Sequence, residues 1–231
     1  NQRLIVQNKS DKKTLISWGV TNSKKFFLIK GSGVNLEKFT QLDEVVSIPT
    51  ICFAGRLIKE KGVYEFVSAA RYLIKKGITA RFWIAGDMDL KNPSGLTKKE
   101  INQISGNKNI RLLGYQNNIS NLFSKSHIIC LPSYREGLPK VLIEAAAACR
   151  AVVTTNIPGC RDAIVPNKTG VLVPVKNPQK LAEAIEWLIK NPQKRIAMGK
   201  AGRKLAEQEF RIEKTIQSHL KLYEELVFKI Q

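Results

Sequence analysis

The stretch His127-Ile128-Ile129-Cys130-Leu131-Pro132-Ser133-Tyr134-Arg135-Glu136-Gly137-Leu138-Pro139-Lys140-Val141-Leu142-Ile143-Glu144-Ala145 falls into three parts. Residues 127–131 form a short apolar run of strand length. Residues 132–137 are polar and turn-rich. Pro139 stands where a first helical residue is favoured, and the Ala- and Leu-rich residues 139–149 predict a helix. Strand, loop and helix in that order are the repeating unit of a parallel sheet covered by helices.

The same unit recurs on both sides. Strands are predicted at 26–29, 48–54, 81–85, 110–113, 151–154 and 170–173. Between them, Val63, Phe66, Val67, Ala70 and Ile74 recur at helical spacing, so 63–76 is an amphipathic helix that Gly77 can cap. Thr97 and Glu100 have capping-box spacing ahead of a helix at 98–105. A short helix is expected at 118–125, and Ile157-Pro158-Gly159-Cys160 is expected to turn the chain. Asn177-Pro178 and Asn191-Pro192 each open a helix, and a third covers 212–227. The fold class is therefore α/β: a doubly wound, Rossmann-like parallel sheet with a helical C-terminus. The first twenty or so residues have no pattern that places them.

Such sheets bind ligands in the crevice beyond the carboxyl ends of their strands. Gly55-Arg56, Gly86-Asp87, Gly114-Tyr115 and the loop from Pro132 to Pro139 all lie at predicted strand ends, so they should line one edge together.

Composition narrows the partners. Lys and Arg total 38 against 19 acids, a net charge of +19 in 231 residues. That excess suits an anionic partner or simply a solvated basic surface. No basic run is interleaved with aromatics, so nucleic acid finds no support. An anionic membrane surface fits the charge better. The four cysteines form no C-x-x-C pair, and the two histidines lie far apart in sequence, which argues against a zinc site. Without disulfide-style spacing, the expected setting is reducing and cytoplasmic, at the inner face of the plasma membrane where the charge engages lipid. No apolar stretch approaches the ~20 residues that span a bilayer.

Chemistry concentrates in Glu136 to Ala145. Glu136 lies in a loop just ahead of a helix, and Glu144 lies within that helix. The helix N-terminus suits a phosphate, and the two acids can accept hydrogen bonds from hydroxyls. A ligand with phosphate and two polyol groups fits, and a nucleotide sugar has those parts. Two glutamates at this spacing also occur by chance. Glu144 is more telling because Leu142, Ile143, Ala145 and Ala146 surround it, and a carboxylate on an apolar helix is costly to bury without a partner. A salt bridge or cap is the competing explanation. Arg56 and Lys61 can meet a diphosphate from two sides; two solvated loop cations are the plainer alternative.

These residues carry a family resemblance. Phe53-Ala54-Gly55-Arg56 with Lys61-Gly62, Pro132-Ser133, the Glu136 to Glu144 stretch, and Thr169-Gly170-Val171-Leu172-Val173-Pro174 resemble retaining GT-B glycosyltransferases of family 4, in the family's order. Gly31-Ser32-Gly33-Val34-Asn35-Leu36-Glu37-Lys38-Phe39 is similar to the segment that opens that family's second domain. The resemblance implies that residues 26–231 are the nucleotide-sugar-binding, C-terminal half of a GT-B fold. Residues 1–25 would be a remnant of the N-terminal acceptor domain, or a linker.

Roles follow from the resemblance residue by residue. Arg56 and Lys61 would hold the donor diphosphate, Glu136 would sit beside the donor sugar, and Glu144 would bind ribose hydroxyls. Gly55 and the backbone of Gly137, Leu138 and Pro139 would face phosphate and sugar. Leu113, Gly114 and Tyr115 fall where the base is held. The resemblance implies no metal or other cofactor. The family commonly has a glycine between the Glu144 helix and the next strand, where this chain has Cys149-Arg150.

The implied activity is transfer of a sugar from a nucleotide diphosphate donor to a glycan or lipid-linked acceptor in bacterial surface polysaccharide synthesis. Val6-Gln7-Asn8 and Gly31-Ser32-Gly33-Val34 lean toward UDP-sugars. A nucleotide-binding module inactive without its acceptor domain is the other reading.

Overall fold

The computed structural model describes residues 3–20, 22–39, 43–89, 91–105 and 107–227. Residues 1–2, 21, 40–42, 90, 106 and 228–231, parts of the two segments expected from sequence, lie outside that range.

The chain starts with a small βαβ unit. Strand β1 (Leu4–Val6) and β2 (Phe26–Leu28) pair in parallel, Leu4 opposite Phe26, and α1 (Lys9–Ser17) crosses between them. Asn8 starts α1: its Oδ1 accepts from the Asp11 amide at 2.7 Å, which satisfies one of the free amides of a first turn. Strand β2 was expected at 26–29, but β1 and α1 had no placement in the sequence, because three residues of strand beside a polar helix carry too little periodicity.

The main body follows as β3 (Thr50–Ala54), α2 (Val63–Lys75), β4 (Arg81–Ala85), α3 (Lys98–Ser105), β5 (Ile110–Gly114), α4 (Ile119–Ser124), β6 (Ile128–Leu131), α5 (Lys140–Ala147), β7 (Ala151–Thr155), α6 (Pro158–Ala163) and β8 (Gly170–Val173). Helices α7 (Pro178–Lys190), α8 (Pro192–Glu209) and α9 (Ile212–Val227) complete it. The sheet has six strands in the order β5-β4-β3-β6-β7-β8, and every pairing is parallel. This is the doubly wound architecture expected from the alternating pattern.

Strands β3, β6 and β7 are buried along their whole length, as strands covered on both faces must be. Phe66 of α2 packs between Phe53 and Phe82, with ring centroids 5.7 and 6.1 Å away. The periodic face of α2 puts Val63, Phe66, Val67 and Ala70 into this core, whereas Ile74 is only partly buried and Leu73 takes the fully buried place.

Three local expectations are corrected. Residues 157–160 do not simply turn the chain: Pro158 begins α6, because extended Ile157 serves as N-cap and proline suits the first helical position. Pro139 is the N-cap of α5 rather than its first residue, since its ψ of 117° is extended. Helix α5 also stops at Ala147, before the expected residue 149.

Its stop explains the departure at Cys149. Cys149 has φ 57°, the left-handed conformation usual for glycine just past a helix. The Cys149 amide donates to the Ala146 carbonyl at 3.1 Å, and the Arg150 amide to that of Ala145 at 2.9 Å. The turn is kept and a non-glycine residue bears its cost. Arg150, almost wholly buried, then donates to the carbonyls of Phe123 and Ser124 at the end of α4.

Candidate functional site

The strand order reverses between β3 and β6. The chain leaves β3 toward β4 on one side and leaves β6 toward β7 on the other. The loops after these strands therefore part and open a crevice at their carboxyl ends, where open α/β sheets bind ligands. One backbone bond ties the loops together: the Tyr134 amide donates to the Glu60 carbonyl at 2.8 Å.

This tie brings Lys61 and Glu136 face to face. Lys61 Nζ lies 2.5 Å from Glu136 Oε1. The Ser133 hydroxyl donates to the same oxygen at 2.7 Å. The Glu136 side chain is only 10% exposed, so it is held in one place by a cation and a hydroxyl.

Beside this pair lies a cleft of about 520 Å³ lined by Gly55, Arg56, Gly86, Tyr115, Lys140 and Glu144, among others. Glu144 reaches it from the second turn of α5. Burial raises its pKa, and the neighbouring Lys140 ammonium, 3.5 Å away, pulls it back down. Arg56 lies at the rim, its side chain 61% exposed and its Nη1 3.1 Å from Asp89 Oδ2. Tyr115 is exposed, while Leu113 packs against the core.

The start of α5 faces the same region. Pro139 offers no side-chain cap, and the first turn holds no acid. The amides of Lys140 and Val141 have no partner within the helix by position, which leaves them for an anion. Leu138 turns its side chain into the core, and its amide is held by Gln7 Oε1 at 2.9 Å.

The structure thus gathers Gly55, Arg56, Tyr115 and Glu144 in one cleft, and pairs Lys61 with Glu136 at the neighbouring loops. Gly86 and Asp87, expected on this edge, line the cleft too, and the structure adds Gln116, Ile119, Lys140 and Val141, which the sequence did not single out; against the loop stand Gln7 and Asn8, which the sequence linked only to the type of donor. Lys140 was open to detection, since it stands four residues before Glu144 on a predicted helix.

Residues 35–205, well over half the chain, match the family model described as glycosyl transferases group 1. The chain belongs to that family. Among group 1 relatives, it is 28% identical over 213 residues to the capsular polysaccharide biosynthesis glycosyltransferase CapM of Staphylococcus aureus, covering 90% of this chain and 54% of that one. It is 31% identical over 208 residues to N,N'-diacetylbacillosaminyl-diphospho-undecaprenol alpha-1,3-N-acetylgalactosaminyltransferase of Campylobacter jejuni, covering 89% and 52%. The chain therefore spans about half the length of these curated relatives.

Its fold is that of the solved sucrose-phosphate synthase from Thermosynechococcus elongatus, with TM-score 0.86 at 23% identity over 97% of this chain and 58% of that one. It also matches Anabaena HepE in complex with UDP and glucose, with TM-score 0.85 at 16% identity over 96% and 63%. The six-stranded sheet is the Rossmann-like sheet of GT-B proteins. None of the described helices is long and apolar enough to cross a membrane.

Proposed function

We propose that this group 1 chain is the donor-binding, C-terminal half of a retaining GT-B enzyme of family 4. It transfers a sugar from a UDP-linked donor to a glycan or lipid-linked acceptor in bacterial surface polysaccharide synthesis. Residues 1–25 belong with the acceptor-binding half. One observation carries the reading: a lysine–carboxylate pair and free helix amides stand at the strand-order reversal, with a second, half-sequestered carboxylate in the adjoining cleft.

Each part has work to do. The nucleoside lies in the cleft, with its base against Tyr115 and its ribose hydroxyls on Glu144. The diphosphate lies over the Lys140 and Val141 amides, met by Arg56 and Lys61. These groups stabilise the charge that develops on the leaving diphosphate, so no metal is needed. Glu136 orients the transferred sugar. Relatives named for capsule and undecaprenol-linked substrates support the acceptor class. The +19 charge gives attraction to an anionic membrane face.

Titration calorimetry with UDP, GDP and ADP tests the reading. UDP binds in preference, and Glu144→Ala weakens it by about tenfold. Equal binding of all three, untouched by that substitution, would defeat it.

A further inference from the structure

Gly137 and Leu138 are joined by a peptide whose two polar atoms are both gripped by neighbouring side chains from far away in sequence. Asn8 Nδ2 donates to the Gly137 carbonyl at 2.9 Å. The Leu138 amide donates to Gln7 Oε1 at 2.9 Å. The contacts span 129 and 131 residues.

Asn8 is fully buried, and its remaining polar capacity goes to Asp11: Oδ1 accepts from the Asp11 amide and Nδ2 also donates to Asp11 Oδ2 at 2.8 Å. It is thus fixed by the first turn of α1 and cannot swing away from Gly137. Gln7 is exposed, and its Nε2 has no hydrogen-bond partner among the described residues. The approach is close: a Cβ at residue 137 would collide with Gln7 Oε1.

We infer that Gln7 and Asn8 are positioning residues for the sugar end of the donor site: the β1–α1 junction sets the plane of the 137–138 peptide, and that peptide sets Glu136. The inference rests on the donor-site reading above. A peptide held at both polar atoms cannot rotate, which fixes Gly137, and the close packing of Gly159 against the Glu136 and Gly137 carbonyls extends that restraint to the backbone of Glu136. The clamp also takes the Leu138 amide out of reach of phosphate, leaving the Lys140 and Val141 amides for that role. The free Gln7 Nε2 remains as a donor toward a sugar hydroxyl. Because the clamp joins the small βαβ unit to the loop of the six-stranded sheet, the seating of that unit controls the sugar subsite without touching the nucleoside cleft.

The test separates loop geometry, sugar binding and nucleotide binding. Gln7→Met removes the acceptor at similar length, whereas Gln7→Glu restores it. Asn8→Ser keeps a helix cap but cannot reach Gly137. Hydrogen exchange of the Leu138 amide should speed up by about tenfold or more in Gln7→Met and return in Gln7→Glu. Affinities are then measured for UDP and for whichever of UDP-glucose, UDP-galactose and their N-acetylhexosamine counterparts the wild type binds most tightly. In Gln7→Met and Asn8→Ser, UDP affinity should stay within about twofold while the sugar nucleotide loses about tenfold. Equal loss of both ligands, no loss of either, or unchanged Leu138 exchange would overturn the clamp. It falls too if the wild type binds no sugar nucleotide more tightly than UDP. If the wild type binds neither UDP nor any sugar nucleotide, the donor-site reading itself has failed, whatever the Leu138 exchange shows.

Discussion

Lys61 and Glu136 meet across the crevice at 2.5 Å, a pair that the proposed donor site assigns to different parts of the ligand. Without a diphosphate, the lysine neutralises the glutamate. With one, Lys61 gains a second anion and Glu136 keeps the Ser133 hydroxyl as an anchor. Glu136→Gln preserves shape and removes the charge. In a full-length enzyme supplied with its acceptor, it should lower turnover by about 100-fold or more, as loss of an active-site electrostatic contact does. UDP affinity should remain within about threefold of wild type. Parallel loss of turnover and UDP binding would show that Glu136 serves the nucleotide instead.

On the proposed function, Glu144 trades stability for binding. Burial raises its folded pKa above the usual 4.5, so the folded state binds its proton more tightly than the unfolded state does. The contribution of Glu144 to stability therefore declines as pH rises through 4.5 and levels off above its folded value. Glu144→Gln has no such decline. Urea unfolding at pH 7 should find the variant at least as stable as wild type, while UDP binding weakens by about tenfold.

His127 should make the fold sensitive to mild acid. Its Nδ1 accepts from the Thr50 amide at 3.0 Å, so Nε2 carries the proton and donates to the Val45 carbonyl at 3.0 Å. Burial lowers its pKa below 6.5, and Arg195 and Arg150 push the same way against the opposing pull of Glu44. The unfolded chain then takes up a proton that the folded chain refuses. The His127 contribution is complete above pH 6.5 and is lost as pH drops from there toward the folded pKa. Glu60, Glu100, Glu186 and Glu209 have lowered pKa values and act only below 4.5, while Glu144, raised, acts in the opposite direction. Lowering the pH from 7.5 to 5.5 should reduce the urea midpoint of wild type more than that of His127→Gln.

Cys149 bears a left-handed backbone at φ 57°. A β-branched side chain tolerates that conformation worst. Cys149→Val should cost about 2 kcal/mol more than Cys149→Gly, measured by denaturant unfolding. Equal effects would mean that the thiol's packing, not the backbone, decides this position.

Much of this architecture was readable from residues alone because its signals are local. Gly55, Gly86 and Tyr115 could be assigned to one edge, since each follows a strand whose direction the parallel sheet dictates, and Glu144 stood out as a carboxylate on an apolar helix. The helix of Val63 to Leu73 showed its buried face in its spacing. The Lys61–Glu136 pair was not readable as a pair, because it depends on the loop conformation fixed by the Tyr134–Glu60 backbone bond. Gln7 and Asn8 drew notice only in a segment leaning toward UDP-sugars, with nothing to show their partners. Polar side chains at the end of a three-residue strand have no periodicity, and their partners lie about half the chain away. Pro139 misled by one position, because proline satisfies the φ of both an N-cap and a first helical residue.

A crystal structure of this chain with bound UDP decides whether the β3–β6 crevice is the donor site. The uracil should lie beside Tyr115, the ribose hydroxyls on Glu144, and the diphosphate on the Lys140 and Val141 amides with Lys61 turned toward it. UDP bound away from that crevice, or in it with its phosphates remote from α5, would show that the donor is held elsewhere.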